Sequence, residues 1–138
     1  MASFIRPLPA LEPRTEAFWR ACHAGRLEFT HCVPCNFFIH PSRPICPRCR
    51  GRTLDTAPVS GRARLHSYTV NHQAWYPGQD VPYVIGLVEL VEQPGLRLMT
   101  NVINCPIERV RIDMPLRVVF EPVSDAVSLP LFEPEPLR

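Results

Sequence analysis

Two Cys-x-x-Cys pairs constrain this chain more than any other feature of its sequence. Cys32 and Cys35 form the first pair, and Cys46 and Cys49 form the second after ten intervening residues. Each tight turn places two sulfur atoms on one side of a knuckle, and two knuckles together supply four thiolates at tetrahedral corners. The spacing predicts one structural zinc ion in a small ribbon, with iron, disulfides or free thiols as alternatives. Since protein fills all four positions, no coordination site remains for water or substrate.

Length and composition indicate a protein of modest size in a reducing compartment. A chain of 138 residues fits one ordinary domain or two very small units. No apolar run reaches the roughly 18 to 20 residues of a membrane-spanning helix, and the N-terminus lacks a signal-peptide pattern. We therefore expect a soluble, cytoplasmic protein, in which paired cysteines bind metal rather than form a disulfide framework.

The order of sequence patterns predicts a mainly β protein. Thr15 suits the N-cap of a short helix over residues 16–24, which Gly25 ends. Residues 26–31 alternate as a strand that leads into the first cysteine pair. Beyond Gly61, runs rich in Val, Ile, Leu and aromatic residues predict strands at about 62–73, 83–92, 97–104 and 116–123. A small closed or nearly closed barrel would protect the edges of these strands.

The two ends of the chain are rich in proline. Residues 1–14 suit an extended arm on an apolar surface, with a frayed terminus as the alternative. Residues 128–138 combine Leu129, Leu131 and Phe132 with three prolines, which predicts neither helix nor sheet; this tail either packs on something or is disordered. The predicted division is an N-terminal arm and helix at 1–25, a zinc ribbon at 26–59, a barrel at 60–127 and a proline-rich tail at 128–138.

Charge is divided unevenly along the chain and excludes some functions. All fifteen basic residues are Arg, so the chain has no lysine for Schiff-base chemistry or for a phosphate-binding loop. Residues 1–66 carry a net charge of +6, whereas residues 67–138 carry −4. Four arginines lie close to the cysteines and either balance the charge of the metal site or form a patch for phosphate or an acidic partner: Arg43, Arg48, Arg50 and Arg52.

Residues that could carry catalysis are sparse. The chain has no G-x-S-x-G, H-E-x-x-H or G-x-G-x-x-G motif. Cys22 and Cys105 are expected to be structural thiols, although each could act as a nucleophile beside a histidine. His31 and His40 flank the cysteines, and we expect neither to coordinate the metal. Four aromatic residues near the first barrel strand either receive a ligand or belong to the core and rim: Tyr68, Trp75, Tyr76 and Tyr83.

Taken together, the motifs resemble those of the DUF35 family, whose members join a zinc ribbon to an OB-fold and accompany thiolase-like enzymes. The resemblance extends from about Pro7 to Phe132. The matching pieces are Phe18-Trp19, Gly25, Cys32-x-x-Cys35, Arg43-Pro44-x-Cys46-Pro47-x-Cys49, Ser60-Gly61-Arg62, Ser67-Tyr68-Thr69-Val70, Pro82-Tyr83-Val84 and Leu87-Val88-Glu89-Leu90. It implies an N-terminal helix and a rubredoxin-like zinc ribbon followed by a five-stranded OB-fold barrel.

Two positions depart from the family pattern. Asn36 stands where Gly often follows the first knuckle, and Asp113 stands where Gly commonly precedes Met-Pro. Because Asn and Asp are the residues other than Gly that best tolerate a left-handed backbone, we expect both turns to survive.

The resemblance implies a noncatalytic accessory subunit, in lipid or steroid metabolism, for a thiolase, a lipid-transfer-type thiolase or an aldolase. Such a subunit would help form or channel a CoA-thioester site within a hetero-oligomer. Candidate contacts to CoA or to the partner are Arg62, Arg64, Trp75, Tyr76, Tyr83 and Arg97. A nucleic-acid-binding OB-fold is the alternative, which the acidic barrel half disfavours. A free-standing enzyme using Cys105 or a histidine is the third hypothesis.

Overall fold

The computed structural model describes residues 6–136 and has one α-helix and eight strands. Helix α1 spans Glu16–His23. The strands are β1 (Leu27–Cys32), β2 (Phe37–Ile39), β3 (Leu54–Val59), β4 (Arg62–Asn71), β5 (Tyr83–Leu90), β6 (Arg97–Val102), β7 (Pro115–Pro122) and β8 (Ser128–Pro134), with a 3-10 turn at Ile107–Arg109 between β6 and β7. In this part of the chain no helix has the length and apolar character needed to cross a bilayer.

The first three strands form the ribbon, an antiparallel sheet in the order β2-β1-β3. Cys32, at the end of β1, lies opposite Phe37 of β2 and Leu54 of β3. The turn that contains Cys35 therefore joins β1 to β2, and the longer β2–β3 connection carries Cys46 and Cys49. The sheet brings both knuckles to one end of the ribbon.

The last five strands form a closed barrel in the order β4-β5-β6-β8-β7, which confirms the predicted five-stranded barrel. Inward positions on β5 alternate with half-buried ones, so Val84, Gly86, Val88 and Leu90 face the core. Each barrel strand has a neighbour on both sides, although β6 and β8 meet at only one register pair. The mainly β fold with one N-terminal helix is likewise as predicted.

The prediction that the proline-rich tail forms neither helix nor sheet is wrong, because residues 128–134 form the fifth barrel strand. β8 pairs with β7 over seven register positions and places Phe132 in the core. The carbonyl oxygen of Phe132 accepts a hydrogen bond from the N–H of Ile103, so the backbone of Phe132 faces β6. Pro130 and Pro134 have the same parity and face the same side, where β6 and β8 share a single register pair. The two prolines therefore remove no hydrogen bond between β7 and β8.

The predicted helix cap is also different in the structure. Thr15 makes no side-chain hydrogen bond to the helix. Its hydroxyl instead donates to the carbonyl of Ala10 and accepts from the N–H of Glu12, which fixes the turn before the helix. The C-terminal end is as predicted, since Gly25 has a φ of +81°.

The ribbon and the barrel share a core and a specific hydrogen-bonded contact. Leu27 and Phe29 of β1 belong to the same buried cluster as the barrel residues. The side chain of Gln93, from the β5–β6 turn, accepts from the N–H of Phe38 at 2.8 Å and donates to its carbonyl at 2.9 Å. This pair of bonds occupies the outer edge of β2 and fixes the ribbon against the barrel.

Gly61, directly before β4, packs closely against Val118 of β7. Its φ is +85°, and a Cβ there would lie 2.4 Å from Cγ1 of Val118. We expect Gly61→Ala to lower the free energy of unfolding by about 2–4 kcal/mol, since it combines backbone strain with a steric clash. Gly95→Ala is the matched control, because its φ is +84° with nothing within 4 Å of the added Cβ. Equal losses for the two variants in urea unfolding would contradict the close packing at Gly61.

Candidate metal centre and partner surface

The four cysteines of the two pairs come together as a candidate metal centre. The sulfur atoms of Cys32, Cys35, Cys46 and Cys49 all lie within 4.8 Å of one another. The Sγ atoms of Cys32 and Cys49 are 3.6 Å apart. Sulfur ligands at about 2.3 Å from a tetrahedral zinc ion are separated by about 3.8 Å. The donor set and its spacing therefore fit one zinc ion, as the sequence predicts.

Backbone N–H groups surround the sulfur atoms of the second pair. The N–H of Arg48 donates to Cys46 Sγ at 3.4 Å, and the N–H of Gly51 donates to Cys49 Sγ at 3.3 Å. Hydrogen bonds from the backbone of Cys49 and Arg48 lower the pKa of the Cys46 thiol to about 7. These donors favour the thiolate, which is the form that binds zinc.

The first pair shows the opposite effect. Hydrogen bonding to the sulfur of Cys49, with burial second, raises the pKa of Cys35 to about 12. Several thiols packed together cannot all ionise without a cation between them. A divalent metal would supply that charge, and binding would release the remaining protons.

The residues near the cysteines have local roles. The guanidinium of Arg48 lies 5.1 Å from the centre of the Phe37 ring. His31 bonds to Asp55 and Asn36, and His40 packs between Phe18 and Phe29. Arg48 lies within the second cysteine pair, so its positive charge can offset the negative charge of the thiolates.

The left-handed turns predicted from the sequence are present. Asn36 has a φ of 52° directly after the first pair, and Asp113 has a φ of 69° before β7. Both residues therefore take the place of Gly, as expected. Arg50 also has a positive φ, of 62°, which the sequence reasoning did not anticipate.

The two remaining cysteines lie apart from the metal centre. Cys22 is buried in the core, and burial raises its pKa to about 12. Because a lowered pKa favours a nucleophilic cysteine, the burial of Cys22 suits the structural role expected for it. Cys105 is half-buried before the 3-10 turn, where its thiol donates to the carbonyl of Pro106.

The three arginines proposed to meet CoA each contact a carboxylate. Arg62 pairs with Glu135 at 2.8 Å, and Arg97 pairs with Glu89 at 3.2 Å. Arg64 donates to the carbonyl of Asp113 at 3.0 Å and lies 3.6 Å from its carboxylate. The N–H of Gly95 and then Arg97 hold the pKa of Glu89 below its usual range. Phosphate would have to displace these partners.

The aromatic candidates lie at the other end of β4. Trp75 and Tyr76 belong to the β4–β5 loop and are 70% and 48% exposed, and Tyr83 begins β5 half-buried. The backbone N–H of Trp75 donates to Oε1 of Gln79 at 2.9 Å, a hydrogen bond within this loop. Since β4 extends over roughly 20 Å between Arg64 and the loop, the six candidates form two separate groups.

The sequence reasoning missed a groove between helix, ribbon and barrel. Its volume is about 380 Å³, and its largely apolar lining includes Phe18, Trp19, His40, Met99 and Pro130. Met99 is 69% exposed on β6, between the buried Leu98 and Thr100. An apolar residue at an outward position of an alternating strand was the available signal.

The fold and the four-cysteine centre define a ribbon-and-barrel protein. A family model described as the ChsH2 C-terminal OB-fold domain matches residues 56–121. A DUF35 domain-containing scaffold protein of Methanothermobacter thermautotrophicus is 34% identical over 96 residues, which cover 68% of this chain and 71% of that protein. The chain belongs to the DUF35 family.

A solved structure and a longer relative extend the comparison. A chain in the structure titled Ltp2-ChsH2(DUF35) aldolase matches with a TM-score of 0.84 and 32% identity, covering 92% of this chain and 98% of that one. A probable enoyl-CoA hydratase alpha subunit of Thermomonospora curvata is 36% identical over 131 residues, or 94% of this chain. The present chain matches only 40% of the length of that relative.

Proposed function

We propose that this chain is a noncatalytic accessory subunit of a thiolase-like enzyme, such as a thiolase, a lipid-transfer-type thiolase or an aldolase. In this role it helps form or channel the CoA-thioester site of its partner. The observation that carries the proposal is the likeness to a chain of an aldolase complex over 98% of that chain's length. The buried, high-pKa Cys22 and the separated candidate residues favour a binding role over catalysis by this chain.

The bound metal in this proposal is one structural zinc ion. The four cysteines would hold it and join the two knuckles, leaving no position for substrate. Zinc supplies a cross-link for a ribbon whose own core is small, and it performs no chemistry on substrate. Thiolate ligation also suits the reducing cytoplasm, where disulfides are rare.

Two surfaces are proposed to meet the partner and its ligand. Trp75 and Tyr76 lie exposed in the β4–β5 loop, and aromatic residues are favoured as anchors at protein interfaces. Tyr83 lies at the base of that loop. Arg62, Arg64 and Arg97 form the second surface, where a guanidinium can exchange a carboxylate for a CoA phosphate.

Nucleic-acid binding is less well supported by the charges. The barrel half carries −4 overall, and Arg62, Arg64 and Arg97 each contact a carboxylate. An OB-fold that binds a phosphate backbone needs a continuous basic groove.

Co-expression with a thiolase-like enzyme encoded beside this chain tests the proposal. We expect a complex that co-purifies and whose activity requires both chains. Trp75→Ala should weaken the complex by about tenfold or more, because truncation of a buried aromatic anchor commonly costs that much. Val33→Ala removes an exposed apolar side chain of the ribbon, outside both proposed surfaces, and is the control. A soluble monomer that changes neither the stability nor the activity of the enzyme would overturn the proposal.

A further inference from the structure

One histidine side chain connects the two ends of the first cysteine pair. His31 precedes Cys32, and Asn36 follows Cys35. The Nε2 atom of His31 lies 2.7 Å from Oδ1 of Asn36. Because an amide can accept through oxygen or donate through nitrogen, this pair can form a hydrogen bond with either orientation of Asn36. A side-chain bond therefore closes the short loop that carries both sulfur atoms.

The same imidazole is fixed to both neighbouring strands. Its Nδ1 atom donates to Oδ1 of Asp55 at 3.0 Å, and Asp55 is the β3 residue opposite His31. The ring packs against Phe38 of β2 with ring centres 5.0 Å apart. Only 13% of the side chain is exposed. The ring is therefore held by contacts to both neighbouring strands.

We propose that His31 is a positioning residue that keeps Cys32 and Cys35 in the geometry that retains zinc. The proposal rests on the assignment of zinc above. Release of zinc requires the knuckle to open, and opening would break the His31–Asn36 bond that spans it. Residues that orient metal ligands commonly change metal affinity by about 10–100-fold when they are replaced.

Zinc release from the full-length chain provides the test. Zinc-loaded protein is mixed with excess 4-(2-pyridylazo)resorcinol, and the rate of metal transfer is followed by absorbance. His31→Phe retains a ring against Phe38 but removes both hydrogen bonds, and we expect release about tenfold faster. Asn36→Gly removes only the hydrogen bond across the knuckle, because glycine tolerates the positive φ at this position. The double variant should release zinc no faster than His31→Phe, since both changes remove one shared bond.

Two controls separate this role from general stability. His66→Phe changes an exposed histidine on β4 and should release zinc at the wild-type rate. Asp55→Asn keeps an acceptor for Nδ1 and should remain close to wild type. Release within twofold of wild type for both His31→Phe and Asn36→Gly would overturn the proposal. A wild-type chain that binds no zinc would instead overturn the metal assignment.

Discussion

Replacement of Cys46 by alanine is expected to reduce zinc from one ion per chain to almost none and to unfold the knuckle end of the ribbon. Cys46 is fully buried, and its backbone is bonded to Gly51 and Arg50 within the second knuckle. Three thiolates bind zinc far more weakly than four. Structural zinc contributes an apparent free energy of about 10–16 kcal/mol in small zinc-binding peptides, so its loss removes most of the ribbon's stability.

Residues 6–136 contain two separate buried clusters, and we expect only the one at the knuckle end to unfold. The knuckle end has its own small cluster, in which only Cys32, Ile39 and Cys46 are buried. Two of these three are proposed metal ligands, so we expect the cluster to depend on the ion. Leu27 and Phe29, at the other end of β1, belong to the barrel core and should remain packed. We therefore expect loss of ribbon structure with a barrel that still unfolds cooperatively.

Metal analysis by mass spectrometry and far-ultraviolet circular dichroism provide the measurements. Cys105→Ala is the matched control, because it removes a thiol outside the metal cluster and should retain one zinc ion per chain. A Cys46→Ala protein that keeps stoichiometric zinc and a wild-type spectrum would contradict the four-cysteine assignment.

The metal centre could be predicted from the sequence because its chemistry is local. Two sulfur atoms separated by two residues share one knuckle in almost any surrounding fold, so spacing alone predicted which four cysteines come together. The left-handed turns at Asn36 and Asp113 were predictable for the same reason, since they depend on one residue's backbone preference. Four of the five barrel strands followed from runs of strand-forming residues and from the turn residues between them.

The fifth strand could not be located in this way, because its prolines are acceptable only in relation to its neighbours. Pro130 and Pro134 would disrupt a strand paired fully on both sides. They are tolerated here because both face β6, which pairs with β8 at a single position. Which side a residue faces is set by register, and register depends on the complete barrel.

The surroundings of the proposed ligand contacts depend on register too. Arg64 lies opposite Glu89 on β5, and Glu89 lies opposite Arg97 on β6. The sequence separates these residues by 25 and eight positions, so no local pattern revealed that Glu89 lies between two of the arginines in one cross-strand row. The groove beside α1 was missed similarly, because segments distant in sequence, from the helix, the ribbon and the barrel, form its walls.

Phe132→Ala is expected to cause the largest loss of stability in the barrel. The side chain is fully buried, and its backbone lies between Val118 of β7 and Val102 of β6. Truncation of a buried phenylalanine to alanine commonly costs about 3–5 kcal/mol, from lost apolar burial and from the cavity that remains. A domain of this size has a total stability of about 5–15 kcal/mol, so the variant should be partly unfolded under mild conditions.

Urea unfolding of the zinc-loaded protein measures this loss. Ile112→Ala is the control, because Ile112 is 59% exposed and its truncation should change the free energy of unfolding by less than about 0.5 kcal/mol. If residues 128–134 were a loosely attached tail, Phe132→Ala would resemble this control. A loss of several kcal/mol with an unchanged zinc content would place Phe132 in the barrel core, because the ribbon and its metal would be unaffected.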